Sequence, residues 1–83
     1  MIYLIFTQAG FEDAKNSVLE NNATLWINDG ILSDEQLKAL STASVTVNIL
    51  STLIEPTNEK AIIAAIESIE IEHPDTELLV EYL

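Results

Sequence analysis

Apolar runs alternate with stretches of helical periodicity along the whole chain. Residues 1–6 are continuously apolar, which is typical of a strand covered on both faces and so of one near the centre of a sheet. Residues 24–28 combine β-branched and aromatic side chains and run into an Asn-Asp-Gly turn, which predicts a second buried strand. Residues 45–50 alternate apolar and polar positions and predict a third strand.

Helical spacing fills the gaps between these predicted strands. After the first strand, four apolar residues form one helical face: Phe11, Ala14, Val18 and Leu19. Asn21-Asn22 is predicted to end this helix. The segment Ser33-Asp34-Glu35-Gln36 has the form of a capping box, in which serine and glutamine satisfy each other's backbone amides. It predicts a second helix that ends near Ser41.

The third helix is predicted to begin at Pro56, which fits a first helical turn because its missing N–H is not needed there. Its buried face is predicted to carry Ile62, Ile63 and Ile66, with Ile69 as a further candidate. Two readings are open for residues 68–72: the helix continues to Glu72, or it stops near Glu67 and a short strand follows.

The alternation of isoleucine and glutamate in residues 68–72 favours the strand, because charged side chains protect a sheet edge from stray pairing. A last helix is then predicted from Pro74, with Leu78, Leu79 and Tyr82 on one side. Residues 1–83 therefore form one β-α-β-α-β-α-β-α domain. We expect a small three-layer α/β/α fold with a four-stranded parallel sheet and right-handed crossovers.

Composition changes this picture mainly by exclusion. The 83 residues include three lysines, no arginine and 14 acidic residues, with a net charge of −11, which argues against direct contact with nucleic acid or an anionic membrane. Solubility is the plainest use of this charge, and a basic protein partner or nucleic-acid mimicry is the sharper one. No apolar run is long enough to span a membrane, so we expect a cytoplasmic protein.

Candidate chemistry is confined to the loops that leave the carboxyl ends of the predicted strands, where ligands bind in parallel sheets. A Ser51–His73–Asp29 triad lacks a nucleophile elbow, and Asp29, Glu72 and His73 lack metal-ligand spacing. We therefore predict no catalytic residue, no metal and no cofactor. The candidate functional edge comprises Gln8, Asn28, Asp29, Gly30, Ser51, Thr52 and His73.

Four stretches carry a family resemblance. They are the strand beginning at Met1, the apolar strand and acidic-Gly turn of residues 25–31, the third strand at 45–50 followed by Leu53-Ile54, and residues 69–73 with 78–80. In this order they resemble the DsrE-like sulfur-relay superfamily, and within it the small TusB/DsrH-type subunits.

The resemblance implies a subunit that assembles with cysteine-bearing DsrE-like chains. Such complexes relay persulfide sulfur toward 2-thiolation of the tRNA wobble uridine or toward sulfur oxidation. This chain has no cysteine, so it would be a non-catalytic subunit. The alternative is an acidic interaction module or mimic that binds a basic protein.

A homodimer is predicted for the isolated chain, because a domain of this size has little core of its own. Aromatic and large apolar side chains dominate interfaces. The candidate interface residues are Phe11, Trp26, Leu78, Leu79 and Tyr82.

Overall fold

The computed structural model describes residues 1–81 and shows four strands and three helices in strict alternation. The strands are β1 (Ile2–Ile5), β2 (Thr24–Ile27), β3 (Val47–Ile49) and β4 (Leu78–Val80), and the helices are α1 (Gln8–Asn21), α2 (Asp34–Thr42) and α3 (Glu59–Glu72).

The four strands form one parallel sheet in the order β3-β2-β1-β4. Strand β1 is central, and Leu4 pairs in register with Trp26 of β2 on one side and with Val80 of β4 on the other. This confirms the predicted fold class, a small α/β domain with a four-stranded parallel sheet.

Two separate apolar clusters lie on the two faces of the sheet, because successive strand residues point to opposite sides. On one face, Tyr3 and Ile5 of β1 pack with residues of α1 and α2. On the other face, Ile2, Leu4 and Phe6 pack with α3. Within residues 1–81 the three layers are therefore unequal, with α1 and α2 on one face and α3 alone on the other.

The helix ends follow the sequence closely. The Thr7 side chain caps α1 by accepting from the Gly10 amide at 3.0 Å, and Asn22 ends that helix in the left-handed region with φ 47°. The capping box of α2 is formed in full, since Ser33 Oγ accepts from the Gln36 amide and Gln36 Oε1 accepts from the Ser33 amide. The predicted end of α1 at Asn21-Asn22 and the predicted capping box at Ser33 are confirmed.

The strand predicted at residues 68–72 is wrong, because this segment is the last part of α3. Ile62 and Ile69 are buried on the sheet and Ile66 is half-buried between them, which is helical spacing. Ile71 is 81% exposed, so Ile69 and Ile71 do not share a face. Glu70, Ile71 and Glu72 are all exposed, so the alternation of isoleucine and glutamate in the sequence does not correspond to alternating burial.

The helix predicted after Pro74 is also wrong. Residues 78–80 form β4 instead, and the ladder continues at both ends, where the Ile2 amide donates to Glu77 O and the Glu81 amide donates to Leu4 O. Pairing with this segment gives the central strand a second neighbour and satisfies its backbone groups.

Two smaller predictions about α3 need correction. The helix begins at Glu59 rather than at Pro56, because the Asn58 side chain accepts from the Ala61 amide and acts as the N-cap. Ile63, predicted on the buried face, is 54% exposed because it lies beside the stripe that Ile62 and Ile69 bury.

Candidate functional site

The carboxyl ends of the strands meet at one edge of the sheet, as predicted. The helices that connect the strands lie on one face to one side of β1 and on the opposite face to the other side. Strand β1 is followed by α1, which packs on one face of the sheet and leads to β2. Strand β4, the neighbour of β1 on its other side, is reached through α3, which packs on the opposite face. The gap outside the carboxyl ends of β1 and β4 is the position at which open α/β sheets bind ligands. The side chains at this edge decide whether it can do so here.

Asn28 directly follows β2 and is almost fully buried at 2% exposure. Its Nδ2 donates to Phe6 O at 3.0 Å and to Ile54 O at 2.8 Å, and its Oδ1 accepts from the Ile54 amide at 2.8 Å. Three of its four hydrogen-bonding positions are therefore used. Asn28 fastens the ends of two strands to the loop after β3 and is not available to a ligand.

Glu81 closes the gap between β1 and β4. Its Oε1 accepts from the Phe6 amide at 2.7 Å and from the Thr7 amide at 3.0 Å, and its Oε2 accepts from Thr7 Oγ1 at 2.6 Å. Amides at the start of a helix attract anions, because they are unpaired within the helix and lie at the positive end of its dipole. The chain's own carboxylate occupies this position.

Gly10 makes room for this arrangement. A Cβ added at Gly10 would overlap the Glu81 carboxylate, so only glycine leaves the space that the carboxylate needs. We name Thr7, Gly10 and Glu81 the carboxylate clasp. Glu81 is not among the residues predicted from the sequence, although a glutamate after an apolar triplet and a glycine in a first helical turn are both visible there.

The remaining predicted edge residues lie in exposed positions. Gln8 is in the first turn of α1, Asp29 and Gly30 form the turn after β2, and Ser51 and Thr52 follow β3. Gly30 has φ 86°, which explains the glycine at this turn. Each of these residues follows a strand's carboxyl end, but none takes part in a hydrogen-bonded side-chain cluster within residues 1–81.

His73 is not at this edge. It caps the C-terminus of α3, where the chain has returned to the amino ends of the strands before entering β4. The hypothetical Ser51–His73–Asp29 triad is therefore split between opposite ends of the sheet. In the described part of the chain, no three potential metal ligands come together.

A groove on the single-helix face is the other feature of note. It has a volume of about 360 Å³ and lies between α3 and the face of the sheet at β2 and β3. One helix cannot cover the whole face, so Trp26 and Leu50 stay half-buried beside it. The Trp26 indole Nε1 is buried and finds no hydrogen-bond partner within residues 1–81. The lining is mainly apolar and includes Trp26, Leu50, Leu53, Ile54, Ala61 and Ala65.

The predicted interface residues separate into different environments. Phe11 is 1% exposed and belongs to the core between α1 and the sheet, so it cannot be an interface residue of the folded chain. Trp26 and Leu78 are half-buried and Leu79 is 38% exposed. Tyr82 lies outside the described residues.

Searches against protein-family models, curated proteins and solved structures found no match to this chain. None of the helices in residues 1–81 is both long enough and apolar enough to cross a bilayer. Functional inference therefore depends on the chain's own residues and geometry.

Proposed function

We propose that this chain is a non-catalytic subunit that acts by binding another protein. The closed carboxyl edge carries this proposal. Asn28 and Glu81 direct their polar atoms at the backbone of the chain itself, and together they engage the ends of three strands. A small-molecule enzyme would need convergent polar groups free to meet a substrate at such an edge.

The groove beside Trp26 is the proposed contact surface. Its apolar lining includes Leu53, which is 63% exposed, and exposed apolar surface in a groove is typical of protein interaction sites. Trp26 and Leu50 would supply large apolar anchors of the kind that dominate binding energy.

The specific form of the proposal is a cysteine-free subunit of a sulfur-relay complex. The sequence resemblance to TusB/DsrH-type subunits supports it, and so does the parallel α/β fold that the resemblance implied. The partner would be a DsrE-like chain that carries the reactive cysteine. Transfer of persulfide sulfur would take place on that partner, for tRNA 2-thiolation or for sulfur oxidation.

Affinity purification of the tagged chain from its native cell tests this form. We expect a DsrE-like chain with a reactive cysteine to copurify. Leu53→Glu should abolish that capture, whereas Ile71→Glu should preserve it, because both replace an exposed apolar residue with the same charge but Ile71 lies outside the groove. Recovery of no such chain would refute the proposed partner. Equal capture by both variants would refute the proposed contact surface.

A second candidate, binding of a basic protein, is favoured by the exposed glutamates of α3. Glu59, Glu67, Glu70 and Glu72 are all exposed on this helix, and the whole chain carries −11. Such binding should weaken steeply between low and moderate salt, because it depends on screened charge attraction. Capture through an apolar groove should change little over the same range.

A further inference from the structure

The two outer strands of the sheet differ in how they are protected. Strand β4 directly follows the exposed Glu77, and a charge at a strand's end discourages pairing with other chains. Strand β3 lies within residues 39–54, the longest stretch of the sequence without a charged residue or histidine. It contains no proline or glycine either. Strand β3 therefore lacks the charged residues and the proline that protect many sheet edges, although it is short.

The backbone of β3 presents unused pairing groups on its outer side. Thr46 O accepts from the Leu25 amide, and the Leu50 amide donates to Ile27 O, so even-numbered residues direct their backbone groups toward β2. The N–H and C=O groups of a strand alternate in direction. Those of Val47 and Ile49 consequently point away from the sheet, and β3 has no further strand beside it within residues 1–81.

We propose that β3 pairs with β3 of a second copy of this chain, antiparallel across a twofold axis at Asn48, to form a continuous eight-stranded sheet. Val47 would exchange both backbone hydrogen bonds with Ile49 of the partner subunit, and Ile49 with Val47 of the partner subunit. Asn48 would face Asn48 of the partner subunit as a non-hydrogen-bonded pair, with the two side chains close together.

Charge identifies a second copy as the occupant. Two chains of −11 repel each other over most of their surfaces, and the uncharged stretch is the part on which they can approach with least repulsion. An oppositely charged partner would gain no charge attraction from side chains at this edge. Apolar surface on both faces would extend the contact, with Leu37 and Ile49 on the α2 side and Leu50 and Leu53 on the α3 side.

This inference does not rest on the sulfur-relay proposal. The effect of salt distinguishes self-association through β3 from binding of a basic protein. Added salt screens the repulsion between identical chains, so it should strengthen this dimer, whereas it should weaken binding to a basic protein. Failure of the pull-down described above leaves the self-association measurements unaffected.

Sedimentation of the purified full chain is the first test. We expect a reversible dimer of twice the 9.2 kDa chain mass, with a Kd of about 1–50 µM because the edge is short. Ile49→Lys should raise that Kd by at least about tenfold. Ile63→Lys, an identical change at an exposed site on α3, should leave it unchanged. A wild-type monomer at about 500 µM, or equal Kd values for both variants, overturns the inference.

A cysteine cross-link tests the register and does not depend on the stability of the lysine variants. The chain has no cysteine, so Asn48→Cys introduces one at the proposed axis. Facing residues of a non-hydrogen-bonded pair lie near disulfide distance. Mild oxidation should convert Asn48→Cys to a covalent dimer at least about tenfold faster than Leu79→Cys, the central residue of the other edge strand. Equal rates would contradict edge pairing through β3.

Discussion

The carboxylate clasp predicts that a glycine-to-alanine change within a helix lowers the free energy of unfolding, which is the opposite of its usual effect. Gly10 is the third residue of α1, and its φ is not in the left-handed region. Alanine normally stabilises a helix by about 0.5–1 kcal/mol relative to glycine. Here the added Cβ would displace the Glu81 carboxylate from the amides of Phe6 and Thr7. We therefore expect Gly10→Ala to destabilise the protein.

The magnitude follows from the three hydrogen bonds that Glu81 accepts. Hydrogen bonds to a charged group contribute about 1.5–3 kcal/mol each, and partial solvent access at this half-buried site reduces their sum to about 2–4 kcal/mol. Subtracting the gain in helix propensity leaves a net loss of about 1–3 kcal/mol for Gly10→Ala. For a domain of this size, each kcal/mol lowers Tm by about 4–8 °C.

Urea unfolding followed by circular dichroism can measure the complete double-mutant cycle of Gly10→Ala and Glu81→Ala. In the Glu81→Ala background the added methyl group meets no carboxylate, so Gly10→Ala should become stabilising by about 0.5–1 kcal/mol. The two changes should thus be coupled by about 2–4 kcal/mol. If Gly10→Ala stabilises the wild-type chain, or if the two effects add, the clasp does not stabilise the fold as argued.

Three further substitutions have defined outcomes in the same unfolding assay. Asn28→Ala should lower the free energy of unfolding by about 3–4 kcal/mol, because it leaves the Ile54 amide and two carbonyls without their Asn28 partners in a buried site. A decrease below about 1 kcal/mol would contradict that role of Asn28. Ser33→Ala should cost about 1 kcal/mol through loss of the capping box, and Ser33→Asp should recover most of it. Trp26→Phe should stay within about 1 kcal/mol of wild type, because it removes a buried Nε1–H that has no partner within residues 1–81 and this offsets the lost apolar contact. A loss above about 2 kcal/mol would show that the indole has a partner.

Sequence patterns were reliable where one local rule determined the structure. The continuous apolar run of β1 reflects a strand covered on both faces, and the capping box at Ser33 is closed by residues three positions apart. Three of the four strands and the overall fold class followed from such local signals. Each depends on neighbours in sequence, so a single sequence contains the necessary information.

The carboxyl-terminal third was misread because its structure depends on distant contacts. Residues 68–72 satisfy a strand pattern locally, but burial of Ile62 and Ile69 against the sheet keeps them helical. Residues 78–80 have little signal of their own and become a strand because β1 needs a neighbour. The clasp joins Thr7 to Glu81 across 74 residues, and no local pattern predicts such a pair.

The position of β1 has a consequence for synthesis on the ribosome. β1 is made before β2, β3 and β4, yet one of its two neighbours, β4, is made only after α1, α2 and α3, and Phe6 meets Glu81 across 75 residues. Until then the most apolar strand of the chain has an open side, which is the situation in which nascent chains misassociate. Translation speed and chaperone contact should therefore affect the yield of this protein most during the interval between completion of α3 and release of β4.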